Sequence, residues 1–586
     1  MTRVPLDAAA AVTGKDELID MNGKRLLALV LASAMLCCSV PAVSAADADK
    51  TAYVDVPGDS WAVTYIETAR DLGLMQGISD DQFGYGGTVT NAQFAQMICN
   101  IMGWELLNPS EPTYSDVLPE SWYYQAVETA YANGVYDKMS TFSPETAITR
   151  REMARAFVSA LGLGAAAALE EHMPSQFADV YSGQGSINVA KMIGLLQGKS
   201  ETTFAPDATA KREEAAALLV RFYETYYAET DFVHGFYAIS SYSQRELAAK
   251  MDAVTYMWST MTLEDGAVKL DTTSKEYRVP DGYDSITGYL GSGVKQHLGV
   301  FMNAYGGVDD LLADPASRTA AVQAVLTELN RTYDAIGRSP YSGVTIDFEG
   351  LRGQADRENL NSFLTDLSAQ LKNQGKTLYV AVHPALVGGY QYDGYNYGQL
   401  REDVYFDGYD YKTIGALSDK VILMAHDFAP QTLEDWEGTE WYLNAALTPI
   451  AGIYYALRAI TDPDTGVEDH SKLVLALSFD ARGWYIDRDG KLESAQSVSV
   501  SISRVAEVLS LPDTEIGYSD AYRNPYLIYQ TDEGERIFLW YENEKSIQEK
   551  LSLAKCFGVT GVSVWRLGNI PNEPAYDVIG AFLPKT

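Results

Sequence analysis

Short apolar runs alternate with helical stretches in the second part of the chain, from about residue 232 onward. Runs of this length, rich in β-branched residues and separated by helical segments, are typical of βαβ units and a parallel sheet. Eight such runs lie at 232–239, 253–258, 298–303, 343–349, 378–384, 421–427, 473–479 and 561–567. Eight strands over this length predict an α/β fold of the (β/α)8 TIM barrel type. Two more runs, at 526–529 and 537–540, read as paired strands, so we expect an α+β insertion near 485–545 within a barrel domain at 232–586.

The first part of the chain, from about 50 to 230, repeats itself. Aromatic-x-Asp-Val segments around Asp55, Asp116 and Asp179 open three units, and each continues with a Gly-hydrophobic pair, a Phe-containing turn and a second helix. Thr149 and Glu152 have capping-box spacing at the start of the middle unit's second helix. A regular period of this kind predicts like modules packed on one another. The predicted units are 50–108, 109–170 and 171–230, which together form a mainly helical bundle.

The N-terminal segment reads as a leader and signal peptide covering residues 1–45. Lys24 and Arg25 precede an apolar run at 26–40, and small residues at 43–45 offer a cleavage site. The run is shorter than the roughly 20 residues of a transmembrane helix, so we expect an exported mature chain without a transmembrane anchor. Translation from Met21 instead of Met1 fits the same segment, because the first twenty residues have no signal-like pattern.

Composition narrows the function classes. Lys and Arg number 44 against 79 Asp and Glu, a formal net charge of −35. A surface this acidic repels phosphate backbones, so nucleic acid is excluded as a partner. Of the four cysteines, two lie in the leader, and Cys99 and Cys556 fall in different domains. We therefore expect neither a disulfide nor a metal site.

The end of the fourth predicted strand carries two acids on one face. Side chains alternate along a strand, so residues 344, 346 and 348 point toward the outer helices, whereas Thr345, Asp347 and Glu349 point into the barrel. Glu349 lies nearest the mouth, where barrel enzymes keep their chemistry. Two neighbouring acids raise each other's proton affinity, and a protonated Glu at the rim is the general acid that glycoside cleavage requires. The alternatives are a solvated strand end or an ion pair with a barrel lysine.

Residues 342–349, Ser-Gly-Val-Thr-Ile-Asp-Phe-Glu, resemble the fourth-strand motif Asp-Gly-x-Asp-x-Asp-x-Glu of family 18 glycoside hydrolases. They match it at Gly343, Asp347 and Glu349 and depart from it at Ser342 and Thr345. The Gly-Val-x-Ile-Asp-Phe-Glu form is most similar to the branch that contains bacterial spore-cortex and cell-wall N-acetylglucosaminidases. Three further stretches resemble the same branch, at 423–427, 540–542 and 561–568.

The resemblance implies a substrate-assisted, retaining mechanism that needs no metal and no cofactor. Glu349 would protonate the glycosidic oxygen while the 2-acetamido carbonyl of the substrate attacks the anomeric carbon. Asp347 would hold the acetamido N–H, Asp427 would orient that group, and Trp565 would form the floor of the sugar subsite. His426 stands where the family has a tyrosine that supports the acetamido carbonyl.

Asn303 and His383, at the ends of the third and fifth strands, are further substrate-binding candidates. For His383, a buried histidine satisfied by the backbone is an equal alternative, and Trp565 can also be read as a core residue. The 39 tyrosines and 9 tryptophans supply flat faces of the kind that stack on sugar rings, although we expect most of them in the core.

The three N-terminal units resemble the S-layer homology (SLH) domain, whose three copies form a pseudo-threefold bundle that binds a secondary cell-wall polysaccharide. In that family the basic residue of a Thr-Arg-x-Glu signature contacts the anionic glycan, which implies Arg150 in the middle unit and Lys211 in the third. The first unit has Asn91 at that place, so one of the three grooves lacks the charge. Alternatively, Arg150 and Lys211 are exposed charges at helix starts, although a cation there works against the helix dipole.

Together these features predict a secreted glycosidase associated with the cell wall or S-layer of a Gram-positive-type envelope. Its expected substrate is a glycan containing N-acetylglucosamine, cleaved at β-1,4 bonds in peptidoglycan or a chitin-like polymer. Its second expected partner is the secondary cell-wall polysaccharide, bound by the repeats. Two alternatives stay open: a non-catalytic carbohydrate-binding protein similar to chitinase-like lectins, and a structural S-layer component. Retention of Glu349 favours the enzyme.

Overall fold

The computed structural model describes residues 53–272, 283–334, 336–384, 407–428, 432–433 and 438–583. The predicted leader and signal peptide lie outside these ranges. Within them, no helix combines the length and the apolar character that crossing a membrane requires. Cys99 and Cys556 are free thiols.

The described part of the repeat region folds into a bundle with two helices for each repeat and one extra helix between the second and third. The helices are α1 (Val63–Asp71), α2 (Asn91–Met102), α3 (Tyr124–Ala132), α4 (Arg150–Ala160), α5 (Gly164–Glu170), α6 (Gln184–Met192) and α7 (Arg212–Tyr226). The helix α4 begins with a reciprocal capping box between Thr149 and Glu152, and α2 begins with the same arrangement between Thr90 and Gln93. The capping box predicted at Thr149 is therefore confirmed.

Each repeat fixes one of its own loops with an aspartate. The carboxylate of Asp55 accepts N–H bonds from residues 83–85 at 2.7–2.9 Å, and Asp116 and Asp179 hold the equivalent loops in the second and third repeats. Single β-bridges then join the repeats in a cycle, from Thr90 to Ala147, from Thr149 to Thr209 and from Lys211 to Thr88. Because the last bridge returns to the first repeat, the bundle is a closed ring of three.

The C-terminal part is a closed parallel barrel that carries an antiparallel insertion. Its strands are β1 (Phe232–Tyr237), β2 (Ala253–Glu264), β3 (Ala267–Asp271), β4 (Lys295–Met302), β5 (Gly343–Phe348), β6 (Thr377–Val382), β7 (Lys420–Leu423), β8 (Leu473–Ser478), β9 (Ala481–Ile486), β10 (Val498–Val500), β11 (Glu515–Ser519), β12 (Asn524–Gln530), β13 (Arg536–Trp540), β14 (Gly561–Trp565), β15 (Asn572–Glu573) and β16 (Tyr576–Asp577). The barrel runs β1-β2-β4-β5-β6-β7-β8-β14, and β14 pairs with β1 to close it. The predicted (β/α)8 class is confirmed. The strand β2 is longer than predicted because it turns back into β3, and β7 ends before residue 427.

Helices cover the outside of the barrel. They are α8 (Arg245–Ala248), α9 (Tyr283–Leu290), α10 (Val308–Ala313), α11 (Pro315–Asn330), α12 (Gly353–Asn373), α13 (Tyr411–Leu417), α14 (Ile450–Ile460) and α16 (Glu544–Cys556), while α15 (Ile502–Leu509) belongs to the insertion. The insertion sheet has the order β10-β9-β13-β12-β11, so the predicted pairing of 526–529 with 537–540 is present as β12 against β13. A buried ion pair lies where the sheet leads into α16: Lys550 Nζ of that helix stands 2.5 Å from Oε1 of Glu542, which follows β13.

Candidate functional sites

The strand β5 places two polar side chains inside the barrel. Phe348 points outward and stacks on Phe363 of α12, with ring centroids 5.3 Å apart. Thr345 points inward, where its Oγ1 lies 2.7 Å from Thr255 Oγ1 on β2. Asp347 is one layer above Thr345 on the same face, because successive side chains of a strand alternate. The facing predicted for this strand is what the structure has.

An uncharged hydrogen-bonded layer lies below Asp347. His234 contacts Thr255 through Nε2 at 2.7 Å and Ser563 through Nδ1 at 2.8 Å, and His297 Nδ1 lies 3.3 Å from Thr345 Oγ1. Burial lowers the pKa of His234 to about 3 and holds the pKa of His297 well below its ordinary value. Both imidazoles are therefore neutral at physiological pH. Where the family motif has an aspartate, this chain has a neutral hydroxyl in a neutral layer.

Asp347 and Glu349 form a coupled pair of carboxyl groups. Asp347 is 3% exposed, and its Oδ1 is buried with no hydrogen-bond partner among the described residues. Burial, and then the charge of Glu349, raise the pKa of Asp347 well above its ordinary value. Burial also raises the pKa of Glu349, against His426, which lowers it, and with Asp427, which adds to it. Because ionising both groups together is unfavourable, the pair keeps a proton to higher pH than two isolated carboxyl groups would.

Asp427 lies just beyond β7 and behaves in the opposite way. Its backbone has φ of +58°, a left-handed conformation that non-glycine residues adopt rarely and that aspartate adopts more readily than most. His426 Nδ1 stands 3.2 Å from Asp427 Oδ2, and Arg482 Nη2 stands 3.7 Å from Oδ1. Burial raises the pKa of Asp427, but the hydrogen bond and charge of His426 and the charge of Arg482 outweigh it, so the pKa is lowered. The mouth thus holds one ionised carboxylate beside a pair that keeps a proton.

The structure places the other predicted subsite residues around the same mouth. Trp565 ends β14, is partly exposed, and packs edge-on against Phe236 at 5.3 Å. His383 follows β6; burial, reinforced by His426, lowers its pKa to about 4. Asn303 follows β4, and its Oδ1 accepts the N–H of Gly306 at 3.3 Å, so its side chain stabilises its own turn.

Two further residues, which the sequence did not predict, contact the side chains at the barrel mouth. Tyr409 donates its hydroxyl to the carbonyl of Phe348 at 2.7 Å. Burial raises the pKa of Tyr409 well above its ordinary value, and the charges of Glu349 and Asp347 add to that shift, which places the phenol beside both carboxyl groups. Arg482 is the second residue of β9 and directly follows the seventh barrel strand. Its position just after a barrel strand could have indicated a residue of the site.

The basic residues of the bundle lie where one repeat meets the next. Arg150 donates from Nε to the Phe204 carbonyl at 2.9 Å and from Nη2 to the Gln197 carbonyl at 2.6 Å. Arg212 makes the same two kinds of bond to the first repeat, at 2.8 and 2.7 Å. Each guanidinium also lies over a phenylalanine ring of the loop it contacts, 4.6 and 5.0 Å from the centroid. Arg150 is buried, so its interpretation as an exposed charge is wrong.

The third repeat differs from the predicted alignment by one position. Lys211 is the exposed N-cap residue of α7 and is equivalent to Thr149, whereas Arg212 is equivalent to Arg150. The prediction that Lys211 matches Arg150 is wrong because two adjacent cations fit the signature. The register is fixed by the bridge from Lys211 to Thr88 and by the carbonyl bonds of Arg212, which repeat those of Arg150. Asn91 holds this place in the first repeat and donates to the Ser143 carbonyl at 3.2 Å without a charge.

Comparison with known proteins identifies both parts of the chain. Residues 225–569 match the model of Glycosyl hydrolases family 18, and residues 52–95, 113–154 and 176–216 match the S-layer homology domain. The chain therefore belongs to glycosyl hydrolases family 18 and carries three S-layer homology repeats before its barrel.

Individual relatives share parts of the chain. YdhD of Bacillus subtilis strain 168, named as a sporulation-specific glycosylase, is 28% identical over 261 residues, which are 44% of this chain and 53% of the relative. The cortical fragment-lytic enzyme of the same strain is 24% identical over 241 residues, 41% and 49% of the two chains. A solved chitinase from Chromobacterium violaceum ATCC 12472 is 20% identical and covers 61% of this chain and 99% of its own, with a TM-score of 0.44. The chain spans about half the length of the curated relatives it matches.

Proposed function

We propose that this chain is an exported glycosidase, held at the cell wall by its repeats, that hydrolyses β-1,4 bonds next to N-acetylglucosamine in peptidoglycan or a chitin-like glycan. One observation carries the proposal: the mouth combines a carboxyl pair of raised pKa, Asp347 and Glu349, with an aspartate of lowered pKa, Asp427. Carboxyl groups whose proton affinities are pushed apart are the usual basis for separate acid and base roles.

The proposed reaction begins with the proton on the carboxyl pair. Glu349, at the rim, gives its proton to the glycosidic oxygen as the bond to the anomeric carbon breaks. The acetamido carbonyl oxygen of the same sugar forms a bond to that carbon, giving an oxazolinium ion, and Asp347 stabilises its positive charge through the acetamido N–H. Glu349, now ionised, removes a proton from water, and the water oxygen attacks the anomeric carbon as the bond from that carbon to the acetamido oxygen breaks. Two successive inversions retain the configuration.

His426 and Asp427 support the acetamido group in this scheme. The 3.2 Å contact between them fixes the imidazole against an ionised carboxylate. A histidine held in this way can donate a hydrogen bond from its other ring nitrogen to the acetamido carbonyl, as the family's tyrosine does with its hydroxyl. Trp565, partly exposed at the end of β14, offers a flat face to the sugar.

Attachment to the wall is proposed for the junctions between repeats. Arg150 and Arg212 are 9% and 5% exposed and hold the loops at two equivalent junctions through backbone carbonyls. Their positive charge makes these junctions of a strongly acidic protein the places where an anionic secondary cell-wall polysaccharide would find complementary charge. Lys211, exposed beside Arg212, is a further contact for the same polymer.

The test of the catalytic proposal is product analysis on purified peptidoglycan and on N-acetylglucosamine oligomers. General acid catalysis contributes about 10²–10⁴-fold to rate, so Glu349→Gln should lose at least that much turnover while still binding the oligomers. Glu358→Gln, an exposed substitution on α12, is the matched control and should leave turnover unchanged. Near-normal turnover by Glu349→Gln contradicts the assignment. Binding of oligomers without cleavage by the unmodified chain identifies a carbohydrate-binding protein instead.

A further inference from the structure

The extra helix of the bundle, α5, packs against the barrel helix α14. The hydroxyl of Tyr455 donates to the carbonyl of Ala166 at 3.3 Å, and the guanidinium of Arg458 forms an ion pair with Glu170. The Glu170 side chain is 3% exposed, so its charge is buried and is paired across the two domains. The connection between the first and second repeats contains no helix, so α5 is an addition that is used for this contact.

A second contact comes from the insertion. Arg523 lies in the turn between β11 and β12, is 2% exposed, and donates from Nη2 to the carbonyl of Ala160 at 2.9 Å. Ala160 ends α4, and the carbonyl end of a helix carries partial negative charge that favours a cation. Gly162 leaves room for the arginine side chain, because a Cβ at that position would lie 2.2 Å from the Arg523 Nε. The turn of the insertion and the end of α4 are therefore complementary in shape.

A third contact joins α7 to α16. Tyr226, the last residue of α7, is 5% exposed. Burial raises its pKa well above the ordinary value, and Glu549 and Cys556 of α16 add to that shift, which places the ring against α16. Only the short segment 227–231 separates α7 from β1, and Asp231 already bonds the Thr560 carbonyl of the barrel at 3.4 Å.

Domains joined by a small or polar interface are expected to move relative to each other. Here three sets of contacts, well separated along the chain, act together. One of them pairs the buried Glu170 with Arg458 across the interface, and another buries Arg523 against the carbonyl end of α4. Opening would leave the buried Glu170 without Arg458, and breaking a buried pair is strongly unfavourable. It would also remove the hydrogen bond from Arg523 to the end of α4, although Arg523 would keep Asp520 and Glu549 on the barrel side. All three sets lie on outer helices and on the insertion turn, whereas the carboxyl groups stand at the strand ends.

We propose that the outer surface of α14, α16 and the 519–523 turn is a docking surface for this chain's own repeat bundle, and that bundle and barrel move as one rigid body. Its functional consequence rests on the proposed function: a bundle bound to the wall would fix the direction in which the barrel mouth faces. The enzyme would then reach only the glycan strands that lie at a set height and orientation from its attachment point.

The test uses the full chain and the double variant Arg458→Met/Arg523→Met, which keeps apolar length but removes the charged contacts that the barrel makes to the bundle. Small-angle scattering of the unmodified chain should fit one arrangement of the two parts, and its thermal unfolding should show one transition. In the double variant, glutamyl endopeptidase should cut after Glu170, which the contact buries, at least tenfold faster, because proteolysis follows the population of the open form. Arg536→Ala, which removes only an exposed ion pair with Glu515, is the control and should behave as the unmodified chain.

The proposal is overturned if scattering of the unmodified chain requires a range of arrangements, or if the double variant is cut at the unmodified rate. Should the double variant fail to fold, the scattering of the unmodified chain still decides between one arrangement and many. None of these measurements uses turnover. An inactive barrel would therefore contradict the glycosidase proposal and leave the docking intact, and a loosely attached bundle would do the reverse.

Discussion

Replacing Asp347 with asparagine should change how the stability of the protein depends on pH. The side chain is 3% exposed and has a raised pKa, so its neutral form is favoured in the folded state. An unfolded aspartate ionises at a pKa of about 3.9. Between these two values the folded state binds one proton more than the unfolded state, so the contribution of Asp347 to stability is present at low pH and is lost as pH rises through the folded pKa.

The size of the effect follows from linkage. Each pH unit between the unfolded and folded pKa values costs the unmodified protein about 1.4 kcal/mol of unfolding free energy at this site. Asparagine has no such cost and resembles the protonated acid in shape. We therefore expect Asp347→Asn to match the unmodified chain near pH 4 and to become progressively more stable than it, by about 1.4 kcal/mol per pH unit, until the folded pKa is passed.

The measurement is urea unfolding followed by tryptophan fluorescence at half-unit steps from pH 4 to 9. The same comparison in a Glu349→Gln background separates the two causes of the raised pKa. Since burial is the larger cause, most of the slope should persist there. A stability difference that is constant across this range would refute the reasoning, and a slope that vanishes in the Glu349→Gln background would assign the shift to the neighbouring charge.

Three further outcomes are expected. His426→Ala should slow turnover by the equivalent of about 1–3 kcal/mol because Asp427 loses its 3.2 Å partner, whereas His426→Tyr should keep most of the activity. Equal turnover rates for the alanine variant and the unmodified chain would show that His426 has no part in catalysis. Lys211→Ala should weaken retention of the chain on isolated walls, and added salt should weaken retention of the unmodified chain because exposed charges are screened. Arg212→Ala should weaken retention further and should also lower the thermal stability of the bundle, because it removes the two carbonyl bonds that close the ring; full retention by both variants would contradict the proposed contact. Lys550→Met should cost about 3–5 kcal/mol of unfolding free energy by stranding the buried Glu542, with part recovered by adding Glu542→Gln; a loss below about 1 kcal/mol would show that the pair is not buried in solution.

Features that depend on local pattern could be predicted from the sequence. Each barrel strand needs only its own residues to be apolar, so all eight appear as runs in the chain. Strand alternation alone predicts that the Asp347 side chain points inward, and its burial follows because the inside of a closed barrel is shielded from solvent. The capping box at Thr149 likewise needs only a spacing of three residues.

Features that depend on contacts between distant segments could not be predicted from the sequence. Tyr409 bonds the carbonyl of Phe348, which is 61 positions away, and no spacing rule joins them. Lys211 and Arg212 are both cations, so local pattern does not choose between them, and the choice is made by a bridge to Thr88 in another repeat. The docking role of α5 depends on Arg458, almost 300 positions further along the chain.

The ring formed by the three repeats has a consequence for how such a wall anchor can change during evolution. In a linear array each copy contacts only its neighbours, so copies can be gained or lost at the ends. Here Arg212 of the last repeat holds a loop of the first, so removing any copy would open two junctions and a fourth copy would have no place. Duplication can therefore only add a complete second ring. Within one ring, a junction can change by substitution without loss of a copy, as at Asn91, where this chain has a neutral residue in place of a cation.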